Sequence, residues 1–198
     1  MGMSFRHFAV ALTIAAPLGL VAPAAYSQEG TKTDYTIDAV HSAIIWKVQH
    51  KGAGYTYGRF NDFSGTVSAV GQDPATLSVD LTVKVESVDS ANAKRDEHLR
   101  NADFFNVKEF PTMTFKSKSA KKVDEKKVEL TGDLTVRGVT KELKVMAEIT
   151  GMATDKGAKL VGAEATFKIN RSDFGITYGK GALADEVTIT AALEGISK

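Results

Sequence analysis

LSVDLTVKV, residues Leu77 to Val85, decides the fold class. Leu77, Val79, Leu81, Val83 and Val85 fall on one face; Ser78, Asp80, Thr82 and Lys84 fall on the other. Successive side chains of an extended strand point to opposite sides, so the pattern predicts an antiparallel strand with one dry and one wet face. The same period recurs in both directions. Upstream, Ile44, Trp46 and Val48 alternate with Lys47 and Gln49 within His41 to His50. KGAGYTYG (51–58) reads as a turn, Arg59 to Ala69 as a second strand roughened by Asn61 and Asp62, and Gly71-Gln72-Asp73-Pro74 as a turn. Downstream, strands are predicted over Thr112 to Ser119, Val128 to Val136, Leu143 to Ile149, Val161 to Ile169 and Val187 to Leu193. Between them lie turns near Asp124-Glu125 and at Arg137-Gly138, a loop from Gly151 to Gly157 and an irregular stretch from Asn170 to Gly181.

One segment breaks the alternation. DEHLRNADFFNVKEFPTMTF (96–115) sets Phe104, Phe105 and Phe110 among charges. With the residues before it, it predicts a short helix from about Ala91 to Ala102, capped by Asp89 or Ser90. The helix is mostly charged, so it is expected to lie across an opening of the scaffold, with the phenylalanines delivered onto the sheet.

The chain is therefore all-β with one short helix. About eight sequential antiparallel strands dispose of exposed edges by closing into a barrel, and an eight-stranded barrel is just wide enough to be filled by side chains or to hold one small ligand. Small inward residues such as Ala163, Ala165 and Ala191 favour a cavity. Alternation alone leaves a packed barrel or a two-sheet sandwich open.

Residues 1–27 read as a secretory signal peptide. Arg6 and His7 precede an apolar run from Phe8 to about Val21, and Ala25-Tyr26-Ser27 suits cleavage after Ser27. The run is shorter than the ~20 residues of a bilayer span. Residues 28–34 read as a polar lead-in and 35–198 as one domain. The expected location is a bacterial periplasm. The chain has no cysteine, which excludes disulfides, thiolate metal sites and a cysteine-borne lipid anchor. Of 25 basic and 24 acidic residues, only basic Arg6 falls in the leader, so the remainder is balanced. That argues against a nucleic-acid partner, which favours a basic surface.

YTIDAVHS (35–42), RDEHLRNADFFNVKEFPTMTFKS (95–117), LTGDLTVRGVTKEL (130–143) and INRSDFGI (169–176) resemble, in this order, the signature segments of the YceI-like family of polyisoprenoid-binding periplasmic proteins. The likeness spans roughly Tyr35 to Leu193. It implies a lipocalin-like antiparallel barrel with an elongated apolar cavity that takes an isoprenoid chain, such as that of a quinone or a prenyl alcohol or phosphate, with no catalysis, no metal and no cofactor beyond the bound lipid. Trp46 departs from the phenylalanine more usual there and is expected to narrow one part of the tunnel.

A long alkenyl chain needs a dry wall. The candidates to line it are Ile44, Trp46, Val48, Phe60, Val79, Leu81, Val83, Phe104, Phe105, Phe115, Phe167 and Ile169, with His50 on the Trp46 face near a head group. Each of these apolar residues also suits a plain core. His41 and His50 lie roughly 30 Å apart on one extended strand and on opposite faces, so they cannot share an ion. Arg95, Asp96 and His98 are read as orienting the helix rather than as catalysts, because no nucleophile with a spaced base accompanies them; Arg171 and Asp173 are read likewise. The hairpin from Lys116 to Lys127 carries six lysines and suits either transient contact with an anionic membrane surface or simple solvation. The reading that results is a periplasmic carrier or sequestering protein for an isoprenoid-type lipid. Its rivals are an enzyme acting on such a lipid and a stress-related interaction module, for instance a partner of a membrane redox protein, with a non-essential cavity.

Overall fold

A computed structural model describes residues 30–197. The leader expected over residues 1–27 and its cleavage point lie outside the described residues. In chain order the strands are β1 (Lys32–Ile37), β2 (Ala43–His50), β3 (Gly54–Phe60), β4 (Phe63–Val70), β5 (Asp73–Lys84), β6 (Val88–Asp89), β7 (Thr112–Lys122), β8 (Lys127–Val136), β9 (Val139–Asp155), β10 (Ala158–Asn170) and β11 (Leu183–Ser197). Among the described residues one α-helix, α1 (Ala93–Arg100), precedes β7, and two 3₁₀ turns, Val85–Ser87 and Arg171–Phe174, flank the loops. Eight strands in the order β1-β4-β5-β7-β8-β9-β10-β11 form an antiparallel ring, closed where β1 pairs with β11.

Closure depends on a strand that the sequence reading missed. β1 begins at Lys32, inside the segment read as a lead-in, and Tyr35 faces Val67 of β4 and Ser197 of β11. It is short and half polar, so alternation is hard to see; pairing on both edges holds it. The eight strands expected from alternation omit β1 and count β2. Instead β11 is long enough to serve both: its last residues pair with β1 and Leu183 to Ala192 pair with β2. Beyond the point where β1 stops, β2 and β3 continue the wall.

Other boundaries differ for local reasons. The turn after β2 occupies residues 51–53, and the strand resumes at Gly54 because Tyr55, Thr56 and Tyr57 favour extended backbone once β2 offers a partner. The single strand expected over Arg59 to Ala69 is β3 and β4 meeting at a corner. There Ser87 accepts from the Asn61 N–H through its carbonyl and from the Asp62 N–H through its hydroxyl. The loop expected at 151–157 shrinks to a turn at Lys156 and Gly157, since Gly151 to Asp155 pair with β10. At the 137–138 hairpin Arg137 and Gly138 both take positive φ (51° and 75°), the geometry that matches strand twist.

Two apolar clusters plug the barrel. At the end where β1 closes the ring, Tyr35, Val67, Leu77, Val128, Leu130 and Val161 are packed to near exclusion of solvent. At the other end Phe104, Leu134, Val136, Phe174 and Ile176 form a second cluster beneath α1 and the loops.

Candidate functional site

α1 is held by charge rather than by an apolar stripe. Its N-cap is Asn92, whose side chain accepts from the Arg95 N–H, and not Asp89 or Ser90. Those two residues have other roles: Asp89 accepts from the Ala91 N–H, and buried Ser90 is enclosed by Asp96 and Arg95. Arg95 donates Nε to the Ser90 hydroxyl and Nη2 to its carbonyl, both at 2.7 Å. Arg100 donates to the carbonyls of Glu86 and Val88. The helix is thereby docked beside β6, and the turns after it swing Phe104 and Phe105 inward.

The opposite rim is shaped by Arg171. Its guanidinium, 6% exposed, reaches the carbonyls of Ala184, Ile176, Tyr178 and Leu183 at 2.6–3.3 Å. Burial pulls its pKa down and Asp185 opposes the shift. Ser172 donates its N–H and hydroxyl to Asp185, whose carboxyl is held below its usual value chiefly by that hydroxyl. Arg137 ties the two rims together by donating to the carbonyls of Gly175 and Ala102. His98, Phe104 and Tyr178 meet edge-on at this mouth, with centroids 4.9–5.3 Å apart.

Between the mouth and the plugged end lie two abutting cavities. The outer one has a volume of about 490 Å³ and the inner one about 120 Å³, with no polar atom showing in the inner wall. All thirteen sequence candidates line one or the other. Ile44, Val79, Leu81, Val83, Phe115 and Phe167 line the inner cavity. Val48, His50, Phe104, Phe105 and Ile169 line the outer one. Trp46 and Phe60 line both, as do Met113 and Ile189, two inward positions of strands that the candidate set left out. Many lining side chains, Ile189 and Phe167 among them, are only half-buried because one side faces the lumen. The residues that sequence reasoning could not place are Arg171, Tyr178 and Leu183, from a stretch without alternation.

The polar groups of the outer cavity gather at the mouth: His50, Thr56, Arg95, His98, Arg171 and Tyr178. Among the described residues none that lines it is acidic. His98 Nε2 lies 2.9 Å from Asp103, so its polar edge is turned to a loop carboxylate.

The YceI-like domain model matches residues 35–195. The chain belongs to the YceI family. It is similar to Protein YceI of Escherichia coli O157:H7, with 40% identity over 168 residues that cover 83% of this chain and 87% of that one. Among solved structures, Burkholderia cenocepacia BcnA superposes with a TM-score of 0.70 at 25% identity, over 80% of this chain and 98% of that one. A polyisoprenoid-binding domain from Saccharophagus degradans, implicated in plant cell wall breakdown, superposes with a TM-score of 0.66 at 16% identity, over 83% and 98%. The last likeness is one of fold.

The lysine-rich hairpin lies at the barrel end opposite the mouth, since β7 and β8 run from the mouth to the turn that joins them. Lys116 pairs with Asp80, Lys118 with Asp133 and Glu142, and Lys122 with Glu125.

Proposed function

We propose that this YceI-family barrel binds one extended apolar chain of isoprenoid type, tail in the inner cavity and head group at the mouth, and carries or sequesters it in the periplasm. The observation that supports this most is the pair of abutting apolar cavities, dry at the deep end and ringed by donors at the open end. A hydrocarbon tail makes no hydrogen bonds, so a wall of inward strand residues suits it, at about 0.8 kcal/mol per buried methylene. A head group with acceptor oxygens meets Arg95, His50 and Tyr178 rather than any carboxylate. The polyisoprenoid-binding domain of the same fold is consistent with such a ligand. No covalent step is assigned: binding consists of burial. Loading takes place at the mouth, so the lysine hairpin is read as solvated rather than as a membrane contact.

Native mass spectrometry of protein purified from its own cells, followed by organic extraction, tests this. A bound mass in five-carbon increments is expected. A protein that is empty as purified and takes up no added prenyl lipid would overturn the reading and leave an interaction module whose apolar lumen is only structural.

A further inference from the structure

Trp46 stands on β2 directly opposite Gly58 of β3 on one side and Ile189 of β11 on the other. A Cβ at Gly58 would lie 2.1 Å from Trp46 Cζ2 and 2.4 Å from Cε2, closer than any real Cβ approaches another atom. The indole therefore occupies the space that a side chain at position 58 would take. It is 8% exposed, and its Nε1 is buried with no hydrogen-bond partner among the described residues. The ring is thus located by shape alone and can be displaced without breaking a hydrogen bond. Trp46, Phe60, Met113 and Ile189 line both cavities, and Trp46 is the largest of the four.

We infer that Trp46, positioned by the missing side chain at Gly58, sets the length of chain the lumen accepts. The inference rests on the proposed lipid-binding function. A chain entering from the mouth passes the indole before its tail reaches the inner 120 Å³, so the bulk of that ring limits how much chain the inner cavity accepts. A smaller ring at 46 widens the passage between the two volumes. A methyl at 58 drives the indole off the wall and into the passage. Trp46 acts on specificity, and Gly58 is a positioning residue.

The test is competition binding of farnesol, geranylgeraniol and solanesol to the wild type, Trp46→Phe, Gly58→Ala and the double variant. Trp46→Phe is expected to shift preference toward the longer prenols by about tenfold, the effect of burying roughly two further methylenes. Gly58→Ala is expected to shift preference the opposite way, and adding Trp46→Phe to it to restore the longer chains. Trp46 is the only tryptophan, so its fluorescence is a second readout. The emission of Gly58→Ala should differ from wild type before ligand is added, and bound prenol should shift wild-type emission. If Gly58→Ala does not fold, Trp46→Phe alone decides. Folded Trp46→Phe with the wild-type length ranking would overturn this inference and leave lipid binding intact. A wild type that binds none of the prenols would overturn both.

Discussion

Asp96 Oδ1 accepts the backbone N–H of Ser90 at 2.8 Å and the Ser90 hydroxyl as well, so one buried carboxylate oxygen pins the chain just before α1 to the helix itself. A buried donor left without an acceptor costs more than the net worth of a hydrogen bond. Asp96→Ala is therefore expected to destabilise the protein by about 3 kcal/mol. Asp96→Asn keeps an acceptor oxygen and should cost roughly 1 kcal/mol, mainly through the weaker neutral hydrogen bonds. Urea denaturation checks the order; equal losses would show that charge, not the acceptor, carries the effect.

Arg171 makes a different prediction. Its planar fork reaches four loop carbonyls, and a lysine ammonium cannot span them. Arg171→Lys is expected to cost about 3 kcal/mol and to speed amide hydrogen exchange across residues 175–183 before the barrel strands respond. Uniform acceleration along the chain would mean that the residue supports the whole barrel rather than its rim.

The residues after β1 give a pH dependence. His41 Nδ1 lies 2.7 Å from Asp38 Oδ2 and 3.8 Å from Glu194 on β11. Its pKa is raised, first by the hydrogen bond to Asp38, and that of Asp38 is lowered, first by the same bond. The histidine's contribution to stability is complete below its ordinary value near 6.5 and fades as pH rises through the raised one. The aspartate's contribution is present above its ordinary value of about 3.9 and fades as pH falls through the lowered one. The pair is thus most favourable between roughly pH 4 and 6.5. Proton NMR should show His41 titrating above an ordinary histidine, and Asp38→Asn should bring it back down. A midpoint unchanged by Asp38→Asn would refute the pairing.

Ring closure depends on Tyr35, 4% exposed between β4 and the end of β11, where a Cβ on Gly195 would lie 2.7 Å from its own Cβ. Tyr35→Ala leaves a cavity at the seam and is expected to cost about 3–5 kcal/mol. Loss of the seam also bares the edges of β4 and β11, so aggregation should rise near the thermal midpoint. A loss under about 1 kcal/mol in urea would mean that β1 is dispensable.

The period-two pattern by itself determined the all-β class, the face to which each strand residue turns, and so the wall candidates that strands carry, Phe104 and Phe105 excepted. It also marked the one segment that interrupts the strands, because a charged run ending in Phe104 and Phe105 has no alternation to continue. Facing is a local property, written into every second residue. Pairing is not. That Lys32 to Ile37 form β1 and close the ring, that the run from Arg59 to Ala69 breaks into β3 and β4, and that β9 continues through Gly151 to Asp155 follow from hydrogen bonds offered by distant parts of the chain. Whether inward residues touch across the barrel or enclose a lumen was likewise decided only in three dimensions. The ends are packed by Tyr35 and Val128 on one side and Phe174 on the other, while in between Trp46 occupies the space beside Gly58 and leaves the middle open. The sequence states which side chains face inward; the space left between them depends on barrel width and on where each ring comes to rest.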